Sequence, residues 1–370
     1  MKQISQNQIR DIAEHYKRIM GVAPRRTKLE NISPAQWGDF CIRANLDANS
    51  AGIFLPRNMT AYVNLSSNTP ELTAFHEYFG HGLFCEYSQE GRLLAKLERR
   101  LMDDERAEFS GRYFSAEDLQ KFRENNSNFN LLQKQRQKNL RLYEIFAVWT
   151  EHYLSELFGI GNQFKQKYDS APKELKEGIN NLLKYQEENG ELALFYESGM
   201  PRYPNKERVK KVLDEFSNSG LKDIKMVLLY GSKKPYSDID LFIVSEKSGD
   251  FSNSWIDIRT VTKKELDYKL SVFDISVTDP ILTGELIVGN ENDLEQKRKK
   301  LKQQPITRES IFYNIIRSKE QRIYAEQYQV GSNEHRQGMG YSHTFMENSS
   351  RLSQGRRELT KAELLRENRT

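Results

Sequence analysis

A chain of 370 residues with 37% hydrophobic and 29% charged residues can bury a core beneath a heavily charged surface. Its length suits two domains of roughly 100–200 residues each, and no run of about 18 apolar residues offers a membrane-spanning helix. The net charge of +4 is uneven: Leu294 to Thr370 holds 16 Lys and Arg against 9 Asp and Glu, a net of +7, which leaves −3 for the rest. Such a basic end suits phosphates or an acidic partner; a solvated helical surface is the plain alternative. The start, Met1-Lys2-Gln3-Ile4-Ser5-Gln6, lacks the apolar stretch of a secretory leader. With only Cys41 and Cys85 in the chain, a cytoplasmic protein with reduced thiols is the expectation.

In chain order, residues from about Ser5 to Met20 read as a helix. Residues 51 to 65 read as two short strands around a turn at Pro56-Arg57-Asn58. A helix is expected to begin near Thr69-Pro70-Glu71, because proline suits a first turn. Residues 91 to 140 are charged and mostly helical, with a polar break at Asn125-Asn126-Ser127-Asn128, and another helix runs from about Leu140 to Leu157. Ser198 to Pro204 has linker composition. Val209, Val212, Leu213 and Phe216 then fall at helical spacing, and Ser219-Gly220 ends that helix. Met226–Tyr230, Ile239–Val244 and Trp255–Val261 read as strands, a helix follows from about Lys263, and Gly284 to Gly289 holds a last short strand. The final forty residues, with Gly331-Ser332-Asn333 and Gly338-Met339-Gly340, are expected to be loosely structured, and His335 and His343 there are not expected to be ligands.

Two segments carry chemistry. The first is Phe75-His76-Glu77-Tyr78-Phe79-Gly80-His81, which holds two of the six histidines. On an ideal α-helix, residues five apart lie about 140° from each other. One metal could take both imidazoles only if the helix widens into a π-type turn, and Gly80 eases such widening. The motif resembles the His-Glu-x-x-Gly-His of the dipeptidyl peptidase III family of zinc peptidases. The resemblance implies that His76 and His81 bind zinc, that Glu77 is the general base, and that Glu144 on a later helix is the third ligand. Glu151 and His152 are the alternatives. The preceding strand pair is also similar to zinc peptidases generally, in which an edge strand beside the active-site helix holds an extended peptide.

The second segment is Val227-Leu228-Leu229-Tyr230-Gly231-Ser232, an apolar strand ending in Gly-Ser. Six residues after Ser232 come Asp238-Ile239-Asp240, opening the next apolar strand. Alternate strand residues share a face, so both carboxylates project together, a donor set suited to Mg²⁺. This constellation resembles the minimal nucleotidyltransferases of the DNA polymerase β superfamily, over roughly Asn205 to Asn290. The resemblance implies transfer of a nucleoside monophosphate from a nucleoside triphosphate with Mg²⁺, and a third carboxylate on a neighbouring strand. Asp257 suits that position best and Asp274 is the reserve. The spacer between Ser232 and Asp238 is shorter than the family pattern, so Lys233 and Lys234 are expected to help Gly231 and Ser232 hold phosphates.

The expected architecture is α+β and multidomain. Residues 1–200 form a mostly helical, zinc-peptidase-like domain, residues 204–300 a small mixed-sheet nucleotidyltransferase domain, and residues 301–370 a basic, helical, partly disordered tail. The expected partners are a nucleoside triphosphate, RNA or a protein as acceptor, and a peptide or protein for the zinc domain, with no membrane. The competing expectation is a degenerate transferase that senses nucleotide and controls the peptidase.

Overall fold

The computed structural model describes residues 4–44, 47–110, 113, 115–169, 173–217 and 223–365. The chain divides into two compact units, Met1–Arg202 and Tyr203–Thr370. It is an α+β multidomain protein with a small mixed sheet in each unit. Among the described residues no helix is long and apolar enough to cross a membrane.

The first unit opens with α1 (Gln6–Met20), β1 (Lys28–Ile32), α2 (Pro34–Ala44), β2 (Gly52–Leu55) and β3 (Thr60–Asn64). There follow α3 (Pro70–Ala74), a π-helical segment (Phe75–His81), α4 (Gly82–Tyr87) and α5 (Gln89–Phe109). The unit ends with α6 (Ala116–Asn125), α7 (Ser127–Leu157), α8 (Gly161–Asp169), α9 (Lys173–Asn189) and α10 (Glu191–Glu197). The sheet order is β1-β3-β2, so β2 lies at an edge. β1 has no apolar alternation to betray it; Lys-Leu-Glu-Asn-Ile becomes a strand by pairing in parallel with Thr60–Asn64. The polar break near residue 126 is a helix junction. Asn126 accepts from the backbone N–H groups of Asn128 and Phe129 at 2.8 and 3.1 Å and so caps α7. From there α7 runs unbroken to Leu157, where the sequence suggested a separate helix from Leu140.

The second unit contains α11 (Lys206–Ser217), β4 (Met226–Tyr230), β5 (Ile239–Ser245), β6 (Gly249–Ser252) and β7 (Ile256–Thr262). It continues with α12 (Lys263–Ser271), α13 (Ile275–Thr283), β8 (Glu285–Val288), α14 (Glu291–Gln303), α15 (Arg308–Glu326), α16 (Asn333–Ser353) and α17 (Lys361–Leu365). The side chain of Phe216 and the stop at Ser219-Gly220 lie outside the described residues. The sheet order is β6-β7-β5-β4-β8, with β5 antiparallel to β4 and parallel to β7. Strand alternation sorts the side chains. Val227, Leu229, Ile239, Leu241, Ile243, Ile256 and Ile258 turn to one face, and all are buried. Met226, Leu228, Phe242, Val244 and Val261 turn to the other and form a core with Leu266, Phe273, Val277, Ile281 and Leu294.

Residues beyond 300, read from sequence as a separate tail, enter this second core through Leu301, Leu352 and Leu359. The segment expected to be loose is mostly helix α16. Gly338 serves close packing: a Cβ there would stand 2.8 Å from Ala325 Cβ and 3.1 Å from Gln321 O on α15. Buried hydrogen bonds from Ser318 to Ser342 O (2.8 Å) and from Asn348 to Asn314 (3.0 Å) join the same two helices. Small and amide side chains that suggest flexibility in sequence are here the contact surface of a helical pair.

Two candidate active sites

In the first unit, the five-residue histidine spacing meets a π-helix spanning Phe75–His81, with the Gly82 N–H bonded to Glu77 O. The wider turn brings the His76 and His81 rings to 4.7 Å between centroids, nearly perpendicular. Gly80 also lets α7 come close. A Cβ there would lie 2.6 Å from Ala147 Cα and 2.9 Å from its Cβ. That approach carries Glu144, one turn earlier on α7, over the histidines. Its Oε2 is 3.9 Å from Nε2 of His76 and 3.9 Å from Nε2 of His81. The three ligand atoms lie within 4.8 Å of one another. Ligands about 2.1 Å from a tetrahedral zinc sit roughly 3.4 Å apart, so the residues present fit such an ion after a small contraction.

The surroundings support the same chemistry. Nδ1 of His76 lies 3.1 Å from Glu151 Oε2, and Glu151 Oε1 accepts from Lys167 Nζ at 2.7 Å. A carboxylate at Nδ1 selects the tautomer whose Nε2 lone pair faces the metal position. Burial lowers the pKa of His76, but the Glu151 hydrogen bond and the charges of Glu77 and Glu151 outweigh it and leave it raised. Burial pushes His81 well down, and His76 beside it adds to the fall. Burial, reinforced by Glu144, lifts the Glu77 carboxyl to about 7 against the pull of His76. A dication in the cluster would lower it again. Glu151 therefore stands behind His76 and outside the cluster of His76, His81 and Glu144; His152 is turned to Phe164, with ring centroids 4.9 Å apart. Glu151→Gln is expected to weaken zinc binding about 10–100-fold, measured by competition with a chelator. Unchanged affinity would leave Glu151 a purely structural role.

Edge strand β2 lies against the π-helix: a Cβ on Gly52 would be 3.3 Å from Glu77 Cγ. Beside it a cavity of about 320 Å³ is walled by Phe54, Pro56, Phe84, Leu94 and Tyr143. Tyr143 stacks on His81 at 3.8 Å, joining the cavity to the histidine pair.

In the second unit, Asp238 precedes β5, and Asp240 is its second residue, with buried Ile239 between them pointing to the core. Asp257 is the register partner of Asp240 on parallel β7. Neighbouring strands are about 4.8 Å apart and in-register side chains share a face, so the three carboxylates gather at one end of the sheet. Burial, then the charges of Asp257 and Asp238, raises Asp240 to about 6. Burial also raises Asp257, against the pull of Arg259. Gly231 has φ +72°, and a Cβ on it would fall 2.8 Å from Asp240 Cγ. Only glycine fits both the backbone and the carboxylate. The spacer loop closes on itself, with Ser237 Oγ donating to Ser232 Oγ at 2.8 Å.

The structure separates the other candidates. Asp274 is fully buried and caps α13, accepting from Ser276 N–H (2.9 Å), Ser276 Oγ (2.6 Å) and Tyr313 OH (2.6 Å). It is a saturated structural carboxylate. Lys233 pairs with Glu285 at 2.6 Å, and Lys234 stands exposed on the loop. Sequence reasoning missed Asp279 on α13, whose charge acts on Asp240 and whose Oδ1 accepts from the Lys361 N–H at 3.1 Å. Nothing local marks either residue, since 82 positions separate them.

No family model matches the chain, and no curated protein matches it. Among solved structures, a nucleotidyltransferase-like protein from Exiguobacterium sibiricum 255-15 is similar at 11% identity and a TM-score of 0.25. That similarity covers 40% of this chain and 58% of the other, so the chain spans less than two thirds of that protein's length.

Proposed function

We propose that the second unit is a nucleotidyltransferase that moves a nucleoside monophosphate from a nucleoside triphosphate to an acceptor, and that the first is a zinc metallopeptidase. The observation that carries the transferase reading is the pairing of Asp240 with Asp257 on two neighbouring strands, with Asp238 just before β5 and Gly231-Ser232 beside them. These carboxylates would hold Mg²⁺, which clamps attacking and leaving oxygens in phosphoryl displacement. Gly231 keeps the strand end bare, and the Ser232 hydroxyl would donate to a phosphate oxygen. In the peptidase, His76, His81 and Glu144 would hold zinc, which lowers the pKa of a bound water toward 7. Glu77 would serve as the base for that water, and an extended peptide would add to the edge of β2.

The acceptor is RNA or a protein. Purified protein, assayed for bound metal and incubated with each labelled triphosphate plus total RNA or cell lysate, tests the assignment. Label transferred to an acceptor is expected. For RNA, binding should weaken steeply with salt as counterions are released. The short loop between Ser232 and Asp238 favours a second reading, in which the unit senses nucleotide and controls the peptidase. Nucleotide binding without transfer would select it, and absence of binding would remove both.

A further inference from the structure

We propose that the cavity beside β2 selects the peptide substrate, taking an aromatic side chain within two residues of the bond cut; this inference rests on the peptidase reading of the first unit. The cavity touches Ile53, Phe54 and Leu55 of β2 and Pro56 after it. Alternate strand side chains point to opposite faces, so a space that meets three in a row runs along the strand edge. β3 occupies the other edge of β2, which leaves this one free to pair with an extended peptide. The same alternation puts Gly52 and Phe54 on one face. A Cβ on Gly52 would lie 3.3 Å from Glu77 Cγ, while Phe54, about 6.6 Å further along the strand, walls the cavity. Two residues of extended peptide cover that distance. Tyr143 joins the two places from α7, lining the cavity and stacking on His81 at 3.8 Å.

Size and lining name the side chain. An apolar cavity of about 150 Å³ is enough to take up benzene; this one holds about 320 Å³, room for a phenyl or indole ring. Phe54, Phe84 and Tyr143 supply ring partners, and aromatic pairs gain beyond simple burial. The charged residues that line it turn acids away: Glu90 and Glu98 outnumber Arg136, and Glu98 is already held by Arg136 at 2.5 Å. A lone charge pressed against the apolar walls would lose its water without a partner.

The test uses the full, zinc-loaded chain and blocked oligo-alanine peptides in which one Phe, Trp, Leu, Lys or Asp is walked through each position. Fragment masses should place the cut within two residues of Phe or Trp, at a rate about tenfold or more above that of the all-alanine peptide. Titration calorimetry with the slow Glu77→Gln chain should rank the same peptides in the same order by affinity. Leu94→Trp, which fills the cavity, should bring the ratio of Phe to Ala peptides near one. Leu94→Ala, which widens it, should shift the preference from Phe toward Trp. Each ratio is taken within one variant, so a smaller folded fraction does not alter it. Equal handling of Phe and Ala by the wild type, a preference for Leu, Lys or Asp, or a Phe preference untouched by both Leu94 variants overturns the pocket alone. If the zinc-loaded wild type cuts no peptide, the peptidase reading falls, and the affinity ratios still decide what the cavity takes.

Discussion

Asp240→Asn is expected to lower nucleotide transfer about a thousandfold or more and, at the same time, to make the metal-free protein more stable at about pH 8. Both effects arise from one carboxylate. The Asp240 carboxyl titrates near about 6 in the folded chain, above its ordinary value of 3.8, because it is partly buried beside Asp257 and Asp238. A group raised by folding holds its proton more tightly when folded, so its ionisation costs stability. That cost appears as pH climbs past the unfolded value and is complete above about 6. The asparagine variant should therefore melt a few degrees higher at about pH 8 and no higher at about pH 3, where both states are protonated. Mg²⁺ should raise the wild-type melting temperature at about pH 8, much less at about pH 5, and not that of Asp240→Asn. Thermal melts across pH with and without Mg²⁺, beside a transfer assay, give the answer. Wild-type transfer by Asp240→Asn would sink the assignment.

Glu77→Gln is expected to cost about 10²–10⁴-fold in peptide hydrolysis, the usual weight of a general base, with the zinc content unchanged. His81→Ala should lose the metal itself. The pair separates chemistry from ligation: Glu77 shares the π-helix with the histidines but lies outside the group formed by His76, His81 and Glu144. Metal analysis and cleavage of a denatured protein substrate distinguish the outcomes. Loss of zinc in Glu77→Gln would make Glu77 a ligand. Normal hydrolysis would remove it from the site.

Much of this was legible because the chemistry is local. Two carboxylates on alternate residues declare a shared face wherever a strand forms, and five-residue histidine spacing forces a wider turn if one metal is to be held. Strand limits such as Met226–Tyr230 follow from an uninterrupted apolar run. What stayed hidden depends on the packing of distant segments. β1 is a strand only through its partner β3, Gly338 reads as looseness until α15 is placed against it, and the contact of Glu151 with His76 Nδ1 appears only in the geometry of α7. Asp274 and Asp257 both lie near the right strand in sequence; only hydrogen bonds to Ser276 and Tyr313 show that one is already saturated.

The burial of Leu352 and Leu359 in the core of the second unit also bears on how the protein is made. Synthesis runs from the N-terminus, and a domain closes only when its last core residue is available. The first unit is compact within Met1–Arg202, so its residues are all available while the ribosome is still working. The second completes its core only once Leu352 and Leu359 have emerged. A message truncated near codon 300 would therefore leave a core packed by Leu266, Phe273, Val277, Ile281 and Leu294 but lacking Leu301, Leu352 and Leu359, and prone to aggregate where they are missing. Polypeptide stalled at that length is where chaperone dependence should be sought.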